Sequence, residues 1–300
     1  LQREQPLIAE PGKTSRTISE SRRRWIWVAA AVIATAVIVH GADRQPSAAR
    51  RGTKLANSPQ RTATTSSLRI ASFNIHHGVG RDGRYDLERV ARTLHGFDII
   101  ALNEVAQGFV GNQAEKLATQ LELGWLYAPS ERRWWHDHWG NAVLSRFDVR
   151  RWRSTPLPGT RSKGYRCYVE VEIPWQDRTL TLLAVHIDRR HDREAQLKEV
   201  IERFLALPEP AVLLGDMNTR DDPHLQQLLA VESVLDPLAQ KSDHHPRNDW
   251  ILVRGAHPVG GGIRDIGASD HSCIWAEIEL PSKAVLAGGR KRNQALEKLD

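Results

Sequence analysis

Residues 68–281 repeat one pattern: a short apolar run closed or opened by an Asn, Asp, Glu or His. Ser72-Phe73-Asn74-Ile75 ends the first run, and Ala101-Leu102-Asn103-Glu104 ends the second. Leu180-Thr181-Leu182-Leu183 leads into Val185-His186, and Ala211–Leu214 leads into Gly215-Asp216-Met217-Asn218. Asn248-Asp249-Trp250-Ile251 and Ser269-Asp270-His271 introduce two later runs. Apolar runs of this length bounded by turn residues are strands. Strands whose polar ends meet at one rim of a sheet bring those ends into a single pocket.

The pattern predicts strands over Leu68–Ile75, Asp98–Leu102, Asn141–Ser145, Arg166–Ile173, Thr179–His186, Ala211–Leu214, Trp250–Val253 and Cys273–Ile278. Helical spacing lies between them. Leu87–His95 presents Leu87, Val90, Ala91 and Leu94 on one face, with Asp86 as its cap. Gln113–Leu123 and His224–Leu229 also read as helices. Asp192–Leu207 offers Ala195, Val200, Ile201, Phe204 and Leu205 as core positions. Two series of strands interleaved with helices imply an α/β sandwich, two packed sheets with helices outside.

The flanks differ in kind. Arg22-Arg23-Arg24 precedes Trp25–Ala42, a run apolar except for Thr35 and His40. As a helix it would span about 27 Å, just enough for a bilayer core. The expected organisation is a basic cytoplasmic segment 1–24, a transmembrane anchor or signal segment 25–42, a flexible linker 43–67, the main domain 68–281 and a disordered basic tail 282–300. An uncleaved anchor, a cleaved signal and a twin-arginine export signal all place the domain across the membrane. Charge follows the same division. Residues 1–66 and 282–300 are net +7 and +3, whereas residues 67–281 are net −4, which gives the chain its +6. That distribution weakens the case for a large electrostatic footprint on DNA. The two cysteines, Cys167 and Cys273, lie in predicted strands and read as small buried hydrophobes, with a disulfide open if the domain is exported.

The strand ends supply carboxylates, amides and imidazoles, without a nucleophilic Ser or Cys among them and without a Gly-x-Ser-x-Gly elbow. Carboxylates suit a hard divalent cation, and imidazoles suit proton transfer or charge stabilisation. Together they point to metal-assisted hydrolysis of a phosphate ester.

From about Leu68 to Leu280 the chain resembles the endonuclease/exonuclease/phosphatase superfamily. The ordered motifs around Asn74, Glu104, His186, Asp216, Asp249 and Asp270-His271 carry the resemblance, with Gly140-Asn141-Ala142-Val143-Leu144-Ser145-Arg146 as an internal strand motif. It implies a four-layer αββα sandwich of two mainly antiparallel sheets, a monomeric catalytic domain and Mg²⁺. Glu104 is the expected metal ligand, with Asp270 as a second carboxylate near the metal and Asn74 supporting the metal or binding phosphate. Asp216 is expected to aim and deprotonate water, and Asn218 to hydrogen-bond the phosphate or the water. The resemblance implies that His271 faces the phosphoryl group with Asp249 orienting it, and that His186 contacts phosphate. His76 stands where certain relatives carry an acidic ligand, which leaves the number of metals open and would tolerate Mn²⁺.

Three features go beyond the resemblance. Trp134-Trp135-His136-Asp137-His138-Trp139 suits base stacking, a membrane interface, a substrate pocket or plain loop packing. Arg189-Arg190-His191-Asp192-Arg193 suits substrate phosphates or a solvated helix start. The substrate is expected to be a nucleic acid or a phospholipid headgroup. The alternative is a non-catalytic binding domain that keeps the fold.

Overall fold

The computed structural model describes residues 20–42, 45–58, 60–108, 111–132, 139–159, 164–239 and 247–281. It divides into two units, Leu1–Asp43 and Arg44–Asp300. The first contains helix α1 (Glu20–Ala42). Trp25, Ile26, Trp27, Val28, Val32, Ile33, Val37 and Ile38 are all exposed on it. The expected bilayer span over 25–42 finds no support here: among the described residues no helix is long and apolar enough to cross a membrane. The described side chains end at Ile38, and Glu20 and Arg22–Arg24 occupy the start of the helix.

The second unit runs β1 (Gln45–Pro46), β2 (Arg50–Gly52), β3 (Ser67–Asn74), α2 (Leu87–Leu94), β4 (Ile99–Gly108), β5 (Gly111–Asn112), α3 (Gln113–Leu121), β6 (Gly124–Pro129), β7 (Glu131–Arg132), β8 (Trp139–Ser145), β9 (Arg151–Pro156), β10 (Cys167–Trp175), β11 (Arg178–His186), α4 (Arg193–Leu205), β12 (Ala211–Asp216), α5 (Pro223–Leu229), β13 (Asp249–Arg254), β14 (His257–Arg264) and β15 (Cys273–Glu279). One sheet has the order β14-β15-β3-β4-β8-β6, with β5 against β4; the other has β13-β12-β11-β10-β9-β2.

Strand alternation makes the layers. In β3, Leu68 and Ile70 enter the core between the sheets, whereas Ala71 and Phe73 pack with Val90 and Leu94 of α2 and Leu117 of α3. In β12, Val212 and Leu214 face the same inter-sheet core, and Leu213 packs with Leu197, Val200 and Phe204 of α4. Central strands are therefore buried on both faces, which is why they read as unbroken apolar runs. The result is the expected αββα sandwich. Each sheet is antiparallel except for one parallel pair, β3–β4 and β11–β12. Those two pairs send four carboxyl ends to one edge, and β13 and β15 start there because they run antiparallel to β12 and β3.

Two expectations are corrected. In α4 the core face is Gln196, Leu197, Val200 and Phe204; Ala195 and Leu205 are exposed. Polar Gln196 belongs to that face because its amide donates to Pro158 O and accepts from Asp188 N–H. Residues 45–67 are not a free tether. β2 pairs with β9, Leu55 and Ala63 enter the inter-sheet core, and the indole of fully buried Trp175 donates to Thr65 O at 2.9 Å. The composition that suggests a linker instead makes a strap across the sandwich edge. The tail 282–300 lies outside the described residues.

Candidate active site

The rim where β3, β4, β11 and β12 end collects the predicted residues. Its shape comes from unusual backbone. Gly215 has φ +141°, and a Cβ there would sit 1.9 Å from Val185 O, so β12 can approach β11 only as glycine. Glu104 (φ 54°) lies at a break in the β4–β8 register between Leu102 and Val105. Such a bulge re-aims a side chain out of the strand's alternation. His76 (φ 44°), His77 (φ 54°) and Asn218 (φ 49°) share the left-handed region. Each non-glycine residue held there costs on the order of 1–3 kcal/mol, and such strain clusters at functional sites.

Asp216 is the hub. Its Oδ1 accepts from Asn218 N–H at 2.9 Å and its Oδ2 from Asn74 Nδ2 at 3.0 Å. Its own N–H donates to Asn103 Oδ1 at 3.0 Å. Burial, reinforced by the charge of Asp249, pushes its carboxyl up to about 7 against the lowering effect of His271 and these hydrogen bonds. His271 Nδ1 lies 2.6 Å from Asp249 Oδ2, and His271 Nε2 lies 3.8 Å from Asp216 Oδ2. Burial works against the His271 cation, but the hydrogen bond and charge of Asp249, with Asp216 and Asp270, outweigh it and raise the imidazole to about 9. Asp216, Asp249 and His271 have ligand atoms within 4.8 Å of one another. The Asp249–His271 hydrogen bond fits acid–base work better than a metal, since the nitrogen facing Asp249 is already engaged.

His186 is buried, its Nε2 3.6 Å from Asp216 Oδ2 and 3.9 Å from Glu104 Oε1. Burial, then the Arg166, His271 and His77 charges, hold it well below its ordinary value, so it is neutral. His77 Nε2 is 3.3 Å from Glu104 Oε2. Burial lowers His77 despite Glu104. Among the described residues no Lys or Arg pairs with Glu104 or Asp270, and Asp270 is largely open to solvent. Two uncompensated carboxylates on an open rim fit a hard dication. Asn74 sits on the Asp216 side of this group. Ser269 Oγ joins the two sides, donating to Asn74 O at 2.7 Å with Asp270 Oδ1 at 3.1 Å. Asn218 spends its amide nitrogen on Ile187 O at 2.9 Å, which leaves its oxygen for a ligand.

Beside His271 lies a cleft of ≈ 570 Å³ lined by Arg81, Arg220, Arg247, Asp249 and Asp270. Of the basic segment 189–193, Arg193 reaches Asn218 O at 3.4 Å and Arg189 and Arg190 are exposed. Trp134–His138 lies outside the described residues; Trp139 packs against His77 in a tilted contact with ring centroids 4.0 Å apart. Both cysteines are free and buried, in different cores.

Two residues that lie within the motifs quoted above, but to which the sequence assigned no role, hold the rim together. Asn103 Nδ2 donates to Val185 O and to Asn141 Oδ1, both at 2.9 Å, and Asn141 Nδ2 donates to Cys167 O at 2.8 Å. These amides bridge one sheet to the other under Asp216. The available signal was parity: Asn103 shares a face with Ile99 and Ala101, which enter the inter-sheet core.

Comparison with known proteins agrees with this geometry. The endonuclease/exonuclease/phosphatase family model matches residues 71–271, so the chain belongs to that family. Similar solved structures include an endonuclease/exonuclease/phosphatase from Beutenbergia cavernae DSM 12333, at 22% identity over 73% of this chain and 72% of that one, TM-score 0.59. Another is an endonuclease/exonuclease/phosphatase family protein from Bacteroides thetaiotaomicron, at 18% identity over 72% and 95%, TM-score 0.57. A third is D. rerio TDP2 humanised by 14 mutations, at 19% identity over 72% and 100%, TM-score 0.54. At these identities the likeness is one of fold. A comparison with curated proteins finds no match.

Proposed function

We propose that this chain is a metal-dependent phosphoester hydrolase, acting on a diester in preference to a monoester. The observation that carries the reading is the pair Asp216 and His271, 3.8 Å apart, with Asp216 raised to about 7 and His271 to about 9. Between those values the carboxylate is ionised while the imidazole keeps its proton. Titratable neighbours pushed to complementary states are the mark of an acid–base pair. Asp216 aims a water and takes its proton. His271, oriented by Asp249, donates to the phosphoryl oxygen or the leaving group. Neutral His186 and the free amide oxygen of Asn218 complete the wall around the phosphate and water. Glu104 and Asp270 would hold the cation, Mg²⁺ or Mn²⁺. When bound, it polarises a phosphoryl oxygen and neutralises developing charge.

The substrate classes are nucleic acid and phospholipid headgroups; of the three arginines lining the cleft, Arg81 and Arg247 are already paired with Asp265 and Asp236. The net −4 of residues 67–281 weakens the case for a dedicated DNA role, and the two classes otherwise compete. We also propose that the catalytic unit works as a monomer. Its location is a separate proposal. The three arginines before an apolar run that stands apart in the sequence suit delivery to the extracytoplasmic side, as an anchor or an exported protein, and protease access on intact cells tests it.

A panel of supercoiled DNA, RNA, sphingomyelin and phosphoinositides, assayed with Mg²⁺ and with Mn²⁺, tests the function. Turnover of one class is expected, abolished by EDTA and restored by the dication. Full activity after exhaustive chelation would sink the metal assignment.

A further inference from the structure

The cleft of ≈ 570 Å³ beside His271 has walls that are charged but already matched. Arg81 pairs with Asp265 at 2.5 Å, Arg247 with Asp236, and Asp249 with His271 at 2.6 Å. Ser272 Oγ donates to Asp265 Oδ2 at 2.8 Å, and the Arg247 guanidinium lies over the Trp250 ring, 4.0 Å from its centroid. Among the described lining residues, Arg220 and Asp270 alone have no Arg, Lys, Asp or Glu as an ion-pair partner. The phosphoryl group being cut would draw on Arg220 and on the cation proposed at Asp270. A second anion in the cleft would then meet the carboxylates of Asp249 and Asp265 with each remaining guanidinium engaged. Taking a charge out of water without a partner is costly, and like charges set side by side reject a ligand.

One wall of the cleft is apolar for a reason of register. Ile263 of β14 stands opposite Ile274 of β15, so both project from the same side of the sheet. Ile274 is 2% exposed, in the core between the sheets. Ile263, on the outermost strand, is 44% exposed and lines the cleft with Ile274. The inter-sheet core thus continues into the cleft. The residues after Ile263 are tied down. Arg264 Nη1 donates to Thr93 O at 2.7 Å and to His95 O at 2.9 Å, and Gly267 N–H donates to Asp265 Oδ1 at 2.9 Å. An apolar surface among a few ordered polar groups is the composition of a small-molecule subsite, and the volume lies within the usual range of roughly 300–1,000 Å³.

We infer that this cleft holds one of the two groups esterified to the phosphate, that Ile263 reads it by apolar contact, and that the cleft takes an uncharged, partly apolar group and rejects one carrying a further anion. The inference rests on the proposed hydrolysis at Asp216 and His271, and it narrows the substrate to diesters whose neighbouring group is neutral.

The test uses the full chain with Mg²⁺ or Mn²⁺ and two symmetrical diesters, bis(4-nitrophenyl) phosphate and bis(4-carboxyphenyl) phosphate. Symmetry removes any question of which end enters the cleft. The leaving groups differ in reactivity, but that difference is common to every variant, so the change in the ratio of the two kcat/KM values reports the subsite. Ile263→Lys should lower kcat/KM for the nitrophenyl diester by about tenfold, the scale of a few lost apolar contacts, and raise it for the carboxyphenyl diester. Ile263→Ser should lower the first and leave the second unchanged. Ile263→Val should keep the wild-type ratio. Thermal unfolding checks that each variant folds.

A ratio that stays within twofold of wild type in folded Ile263→Lys and Ile263→Ser overturns the inference. Calorimetric binding of the same diesters in EDTA separates this from failure of the hydrolase reading. If neither diester is turned over, yet the wild type binds the nitrophenyl diester more tightly and Ile263→Lys reverses that order, the subsite stands and the hydrolase reading falls. Equal binding of the two by wild type overturns the subsite whatever the turnover. Dihexanoylphosphatidylcholine and thymidylyl-thymidine, both diesters without a second anion, then tell an acylglycerol source from a nucleoside one. Whichever is turned over should lose about tenfold in kcat/KM in Ile263→Lys; turnover without that loss counts against the assignment.

Discussion

Asp249 Oδ2 lies 2.6 Å from His271 Nδ1, and this contact sets the charge on the imidazole that faces Asp216. Without it, burial would favour the neutral ring; with it, the proton is held up to about 9. The same Asp249 charge helps burial to raise Asp216 to about 7. One carboxylate that touches no reacting atom thus places both members of the proposed acid–base pair.

The pH profile follows. Activity should rise as Asp216 loses its proton through about 7 and fall as His271 loses its own through about 9. Asp249→Asn removes the hydrogen-bonding charge that raises His271 and the repulsion that raises Asp216. Both limbs should then move to lower pH. The measurement is kcat/KM against pH for the wild type and the variant at saturating metal. An alkaline limb that stays in place would show that Asp249 does not set the His271 proton.

Asp216→Asn and His271→Ala should each lower kcat by roughly two to four orders of magnitude with little change in KM, since positioned proton carriers act in the transition state. The double variant should lose less than the product of the two, because groups that act as a unit are not additive. Stability separates this from unfolding. A carboxyl raised above its ordinary value favours folding when protonated, and that contribution is lost as pH rises through about 7. In EDTA, Asp216→Asn should therefore gain stability relative to wild type between pH 5 and pH 8, read by thermal unfolding. Near-normal kcat in either folded variant would mean the active site is misplaced.

The sequence exposed which residues meet at the rim better than what holds them there. Asn74, Glu104, His186, Asp216, Asp249, Asp270 and His271 were legible because each interrupts an apolar run at a strand end, where a polar residue has no structural need to be. The central strands were legible because burial on both faces leaves no alternation to mistake. Strand β9, Arg151–Pro156, was not legible, because it carries the polar Arg151, Arg153, Ser154 and Thr155, and the short edge strand β2 that covers its outer side lies about a hundred residues earlier. The strap 45–67 failed for the same reason: its Ser, Thr and Pro match a linker, and only contacts distant in sequence order it. Gln113 reads as an ordinary helix start, because nothing in its neighbours announces that its amide reaches His77 and Ala106.

Gly215→Ala should abolish the folded domain. The added Cβ would overlap Val185 O at 1.9 Å in adjacent backbone, and φ +141° is closed to an alanine. Neither strand can retreat without breaking the β11–β12 pairing that sets His186 beside Asp216. The expected result is insoluble protein or a lost unfolding transition. A well-folded Gly215→Ala with wild-type kcat would show that the rim tolerates a displaced β12.

Asn103 offers the sharpest separation of support from chemistry. Its side chain touches no proposed reacting group, yet it accepts from Asp216 N–H and donates to Val185 O and Asn141 Oδ1. Asn103→Ala removes the partner of Asp216 N–H, Val185 O and Asn141 Oδ1, and a buried polar group left unpaired costs about 1–3 kcal/mol. The melting temperature should fall by roughly 2–4 °C per kcal/mol for a domain of this size. Asn103→Asp keeps the shape and the acceptor toward Asp216 N–H, but it sets a carboxylate against the oxygens of Val185 and Asn141. It should be no better than alanine. In both variants kcat should drop at least about tenfold while metal affinity holds, because the strand end that carries Asp216 shifts and the carboxylates at Glu104 and Asp270 do not. Thermal unfolding, kcat and Mn²⁺ affinity measured together decide the matter. An Asn103→Ala protein with wild-type melting temperature and kcat would show that the amide bridge between the sheets is dispensable. A parallel loss of metal affinity would place Asn103 in the cation site instead.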